Sequence, residues 1–214
     1  MLQNIVKHKV ALSIFIVWLF VISALIGMAL GYEAWFIPKT PLNLLIGFGL
    51  LLWNTEIDSL KVSLALLIAF GVGMGAEILG VATGKIFGTY SYGANLGPKL
   101  MDVPYMIGIY WAVLVVITSF MARKISQHWI VISAIGSGLM VLLDLFIEQI
   151  APRFDFWEFA VHPVPIQNYV SWFVIAFGLH LLIAKWIQES SQSYSLHLYL
   201  SQLAFFIGSM VILA

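Results

Sequence analysis

Seven stretches of this chain are apolar for nearly the thickness of a membrane, and few folds can hold them. They run over residues 10–30, 41–54, 60–81, 104–122, 129–150, 168–187 and 196–214. A helix needs about 20 apolar residues to cross a bilayer. The second stretch is short and opens at Pro41, a residue suited to a first helical turn. It reads as a tilted or partial span, so the expectation is seven spans, or six if that one stops short. Strands of a membrane barrel alternate apolar and polar residues, and these runs do not. Hydrophobic residues make up 62% of the 214 and charged residues only 9%, against about 25% charged in an average soluble domain. The expected fold is all-α: a polytopic membrane helix bundle, one integral membrane domain over residues 1–214.

Charge and cysteine content narrow the function. The formal net charge is zero and the charges are scattered, which argues against a nucleic-acid partner. With no cysteine, disulfides and thiolate chemistry are excluded. The first run follows Lys7, His8 and Lys9. It is longer than the roughly 7–15 residues of a signal-peptide core and reads as a retained span. Loop Lys and Arg residues set orientation. A cytoplasmic N-terminus puts Lys7, Lys9, Lys61, Arg123, Lys124 and Lys185 inside, and Lys39, Lys85, Lys99 and Arg153 outside. Six against four favours that orientation. The two longest polar connections, 82–103 and 151–167, then share one side, as do the nearby ends of the third to sixth spans.

Acidic side chains inside spans cost about 2.5–3.5 kcal/mol each at a helix centre. Glu77 lies in "GVGMGAEILG", and Asp144 and Glu148 lie in "LMVLLDLFIEQIAP". The last two are four residues apart and share a helix face. They read either as interface markers at helix ends or as inward-facing functional acids. A buried carboxyl resists ionisation, which suits a proton donor. Gly71 and Gly75 make a G-x-x-x-G pair, expected to pack closely on a neighbouring helix.

The same end gathers Tyr90, Tyr92, Tyr105, Tyr110, Trp111, Trp157, Tyr169 and Trp172. These are either an interfacial aromatic belt or π faces able to stabilise a cation. His162 is a lone loop histidine and reads as incidental. No metal-ligand spacing or P-loop is present, and the histidines at 8, 128, 162, 180 and 197 form no diiron-type cluster. Asp144 and Glu148 have a faint likeness to the diphosphate-binding acids of membrane prenyltransferases. "WNTEID" at 53–58 falls on the opposite side and supplies no second segment.

The combination "EILGVATGKIFGTYSYGANLGPKLMDVPYMIGIYW" (77–111), "LDLFIEQIAPRFDFWEF" (143–159) and "VPIQNYVSW" (164–172) resembles the CruF-type carotenoid hydratases. The family reads as an acid, T-G-x-x-F-G-x-Y-x-Y, L-G, a V-P before the next span, then an L-D segment, a tryptophan, and P-x-x-N followed by tryptophan. The resemblance covers about residues 70–175. One departure is that many members carry W-x-W where this chain has Trp157, Glu158 and Phe159.

The resemblance implies a cofactor-independent hydro-lyase without a metal. It would add water across the terminal 1',2' double bond of an acyclic ψ-end, as in γ-carotene or bisanhydrobacterioruberin. Protonation of the alkene would give a tertiary cation, and water capture a tertiary alcohol. On this reading Asp144 is the leading acid and Glu77 the second. Glu148, Asp155 and Asn168 would hold the water. Tyr90, Tyr92, Tyr105, Trp111, Trp157 and Trp172 would line the substrate site. The implied partners are a carotenoid drawn from the bilayer, membrane lipids and other carotenoid pathway enzymes. The implied location is a bacterial cytoplasmic membrane. "FGTYSYGANLGP" is expected to cap the polar end of the cavity, with Glu77 beneath it and Asp144 across from it. Two rivals remain: another isoprenoid-modifying membrane enzyme acting on a diphosphate, or a small proton or lipid transporter.

Overall fold

A computed structural model describes residues 2–55, 60–183, 186 and 192–213. Seven helical stretches among them are long and apolar enough to cross a membrane: Val6–Ala29, Glu33–Asn54, Leu60–Thr83, Tyr105–Arg123, Trp129–Ile147, Ile166–Ile183 and Ser193–Leu213. Lys185 and residues 56–58 of the "WNTEID" segment lie outside the described residues.

The helices are α1 (Leu2–Ala29), α2 (Glu33–Phe36), α3 (Thr40–Asn54), α4 (Leu60–Thr83), α5 (Tyr105–Arg123), α6 (Trp129–Ile147), α7 (Ile166–Ile183) and α8 (Gln192–Leu213). The second span is complete rather than partial. A 3-10 turn over Ile37–Lys39 joins α2 to α3, so the helical path starts at Glu33, eight residues before Pro41. Pro38 and Pro41 sit at the first positions of their helices, where a missing N–H costs nothing. Glu33, Lys39 and Thr40 lower the hydropathy of this first part, which is why the apolar run alone looks too short.

α5 is the hub. From Met106 to Phe120 it is buried except at Ile109, and it packs against α3, α4, α6, α7 and α8. The outer helices each turn one stripe inward. On α4 the stripe is Ala65, Ala69, Gly73, Glu77 and Gly80; on α6 it is Gly136, Met140, Leu143, Asp144 and Ile147; on α7 it is Asn168, Trp172, Ala176 and His180. These spacings of three and four residues follow the helical repeat. The opposite faces expose large apolar side chains, such as Phe15, Leu67 and Val174, the surface that lipid covers. Buried polar ties cross the bundle. Asn54 donates to Ser13 Oγ at 2.7 Å, and His180 Nε2 lies 3.0 Å from Thr118 Oγ1.

The glycine reading needs correction. A Cβ on Gly71 or Gly75 would meet nothing within 4 Å, whereas one on Gly73 would strike the Trp111 ring and one on Gly80 the Phe87 and Tyr90 side chains. Close approach on α4 therefore runs through Gly73 and Gly80, which share the inward face with Glu77.

Arg153 pairs with Glu33 at 3.3 Å and donates to the Leu213 carbonyl. The start of the second span, the α6–α7 connection and the end of α8 thus meet at one end of the bundle. The α4–α5 and α6–α7 connections share that end and are joined by a short antiparallel sheet. β1 (Tyr90–Tyr92) pairs with β4 (Trp157–Phe159) in the register Tyr90 to Phe159, Ser91 to Glu158 and Tyr92 to Trp157. A second pair, β2 (Lys99–Leu100) with β3 (Val103–Pro104), leads the chain into α5.

Candidate active site

The β1–β4 sheet sorts side chains by strand alternation, since neighbours along a strand point to opposite faces. Ser91 and Glu158 are exposed, while Tyr90, Tyr92, Trp157 and Phe159 turn inward. Tyr90 stacks on Phe159 with centroids 5.2 Å apart, and Tyr92 meets the Trp157 ring edge-on at 5.9 Å. The Trp157-Glu158-Phe159 stretch thereby gains a physical role. Its first ring binds an acid below the sheet, and its last ring packs a tyrosine.

Glu77 lies beneath, 2% exposed. It accepts from Tyr90 Oη at 2.6 Å and Tyr92 Oη at 2.8 Å through Oε2, and from Trp111 Nε1 at 3.0 Å through Oε1. Burial first, and then the Glu77 charge, push both phenols well above their ordinary range. Their protons stay on oxygen, directed at the carboxylate. Gly73 allows the Trp111 ring to lie close against α4, and Trp111 stacks on Trp172 at 4.2 Å.

The other two acids lie on the far wall. Asn168 Nδ2 donates to Asp144 Oδ2 at 2.9 Å and to Glu148 Oε1 at 3.1 Å. Trp157 Nε1 donates to Glu148 Oε2 at 3.0 Å. Asp144 Oδ1 is buried with no hydrogen-bond partner among the described residues. Burial raises the Glu148 carboxyl above its ordinary value. The Trp157 hydrogen bond works against this, the Glu77 charge adds to it, and the Asn168 bond opposes it. No lysine or arginine pairs with any of the three acids among the described residues.

Glu77 and Glu148 line one small cavity together with Phe87, Tyr90, Tyr92, Trp157, Phe159, Asn168 and Trp172. Its volume is about 10 Å³, the room that roughly one water needs. Asp144 is not part of its lining and sits behind Asn168 and Glu148. Phe87 and Phe159 were not among the residues expected here. Phe159 stands out only as the position where many family members carry a second tryptophan, and the alternation around Tyr90 and Trp157 is the signal that points to its inward direction.

Two expected site residues lie elsewhere. Asp155 is exposed, and its Oδ2 accepts the Ala94 amide at 2.7 Å. With Gly93 N to Phe156 O at 2.9 Å and Asn95 Nδ2 to Phe154 O at 2.9 Å, it clamps the two connections together. It does not reach the cavity. Tyr105 is 42% exposed at the start of α5 and does not line the cavity either. Among the described residues, no three His, Cys, Asp or Glu are grouped so that they could hold a metal ion.

A family model described as "Carotenoid biosynthesis protein" matches residues 40–214. The chain belongs to the carotenoid biosynthesis protein family. The match takes in every residue of the cavity, the second span from residue 40 and all later spans. A protein of Haloarcula japonica named bisanhydrobacterioruberin hydratase is 30% identical over 122 residues, 52% of this chain and 41% of that relative. The chain therefore aligns with less than half of the relative's length. No solved structure matches the chain.

Proposed function

We propose that this chain is a carotenoid hydratase. It adds water across the terminal 1',2' double bond of an acyclic ψ-end and leaves a tertiary alcohol at C1'. One observation carries this reading: Glu77 and Glu148 line one cavity whose other walls are aromatic rings and Asn168. The hydratase relative and the family membership support it.

These acids suit opposite tasks. Glu77 takes three donors, which favour its ionised form, and it serves as the fixed anion opposite a developing cation. Preorganised charge in a dry site is an effective form of transition-state stabilisation. Asp144 and Glu148 share one amide nitrogen and have no basic partner among the described residues. Two buried carboxylates in such a setting do not both ionise, and they hold one proton between them. Glu148, the member that lines the cavity, delivers that proton to C2'. The π electrons of the alkene form the new C–H bond and leave a tertiary cation at C1'. The faces of Trp172 and Tyr90 lie beside it and stabilise positive charge.

Water then attacks C1', and the oxonium proton returns to the Glu148 carboxylate. The acid is restored, and the net change is the addition of one water with no oxidation or reduction. Asp144, behind Glu148, is a positioning residue that sets where the shared proton resides. Asn168 holds both carboxylates in place. The location proposed is a bacterial cytoplasmic membrane, and the six-to-four bias of loop Lys and Arg supports a cytoplasmic N-terminus with the sheet-covered site on the outer side.

Expression in a host accumulating lycopene or γ-carotene tests the proposal. Pigment mass should rise by one water. Unchanged mass with both substrates present would refute it.

A further inference from the structure

The carboxylate cavity, about 10 Å³, cannot hold the branched end of an isoprenoid, so a wall must yield to admit substrate. Trp157 is the wall that matters. Its ring closes this cavity and also closes a second, wholly apolar one of about 30 Å³ under the sheet. The second cavity shares Thr40, Leu44, Tyr110 and Phe206 with a third of about 40 Å³. The third shares Thr40, Asn43 and Phe205 with a groove of about 370 Å³ lined by α1, α2, α3 and α8. Four spaces therefore form one series, each separated from the next by a few side chains.

Thr40 lines three of the four spaces, and only the third reaches deeper along α3, to Gly47 and Phe48, eight residues or about 12 Å below Thr40 at the helical rise. At the mouth of the series, Lys39 Nζ lies 3.4 Å over the Trp35 ring and donates to the Trp35 carbonyl at 2.6 Å. That pairing of an aromatic ring with a base is typical of headgroup level. Of the polar residues in the third cavity's wall, Tyr110 and Gln202 bond to each other at 3.0 Å, and Thr40, Asn43 and Ser201 are the others. The path thus presents mainly hydrocarbon to its occupant.

We propose that this series is the substrate's binding path. A linear polyene enters laterally from lipid between α1 and α3, lies along the inner face of α3, and passes its end group beneath Trp157 to the carboxylates. The class of occupant rests on the hydratase reading, and the path itself is a separate claim. Trp157 is the gate, held shut by its bond to Glu148. Substrate that displaces the indole also frees Glu148 Oε2, the oxygen beside the entering alkene.

The test places a benzophenone amino acid at Leu44, on the path, or at Val174, on the lipid-facing side of α7 (61% exposed). Membranes containing γ-carotene are then irradiated. The path predicts polyene adducts at Leu44 at least tenfold above those at Val174. Equal labelling at the two positions overturns it, whether or not the protein hydrates its substrate. Leu44→Trp should lower kcat/KM at least tenfold, mainly through KM, and Val174→Trp should leave it unchanged. Unchanged kinetics in a Leu44→Trp protein of normal abundance also overturns the path. Adducts at Leu44 without any hydration would refute the hydratase reading and keep the path.

Discussion

Asn168 holds Asp144 and Glu148 with a single amide nitrogen, at 2.9 and 3.1 Å, and Asp144 Oδ1 beside them has no hydrogen-bond partner among the described residues. On the proposed mechanism the two acids hold one proton between them and have separate roles. Glu148→Gln should lower hydration by about 100-fold or more, the usual contribution of a positioned acid. Asp144→Asn should cost less, about tenfold, because the residue facing the cavity keeps its carboxyl. Product formed per unit of membrane protein reads both. Equal losses would contradict the division.

Glu77 should behave differently. Glu77→Gln keeps the shape but removes the charge, and it leaves Tyr90, Tyr92 and Trp111 N–H or O–H groups aimed partly at another donor. Leaving a buried donor unsatisfied costs about 1–3 kcal/mol. The variant should therefore lose both activity and thermal stability, measured by melting in detergent. Glu148→Gln should lose activity with a smaller change in melting temperature.

The Trp157 bond to Glu148 gives a pH prediction. An acid catalyst must be protonated, so activity is full below the raised Glu148 value and lost as pH rises through it. Trp157 lowers that value through its hydrogen bond. Trp157→Phe removes the donor and raises it further, so the alkaline limb of the kcat/KM profile, which reports the free enzyme with the gate shut, should move to higher pH. A shift to lower pH, or none, would count against Glu148 as the donor.

The glycines of α4 offer a test of packing. Gly73→Ala would drive a Cβ into the Trp111 ring, with a cost of about 1–3 kcal/mol for overpacking and displacement of an indole from Glu77. Gly71→Ala and Gly75→Ala meet open space and should be neutral or slightly stabilising in melting assays.

Much of this architecture was legible because burial in lipid writes itself into long apolar runs. Seven spans, the shared end of the two polar connections, and the inward direction of Glu77, Asp144 and Glu148 follow from length, parity and the cost of exposed carboxylates. Tyr90, Tyr92, Trp111, Trp157, Asn168 and Trp172 gather around those acids. What escaped depends on local geometry. Strands of three residues carry too little periodicity to stand out, although Tyr-Ser-Tyr and Trp-Glu-Phe do alternate. Asp155 looked like one more acid near the site, yet its positive φ of 52° and its bond to Ala94 make it a loop clamp. Gly71 and Gly75 matched a packing spacing, but Gly73 and Gly80 lie on the face that α5 and the loop occupy. The early start of the second span was hidden by Glu33 and Lys39.

The most direct measurement is isotopic. Membranes bearing the protein are supplied with γ-carotene in water labelled with heavy oxygen, and separately in heavy water. The account predicts one labelled oxygen at C1' and one deuterium at C2', with both labels lost in Glu148→Gln. A pigment unchanged in mass, or a hydroxyl oxygen drawn from dioxygen rather than water, would contradict it.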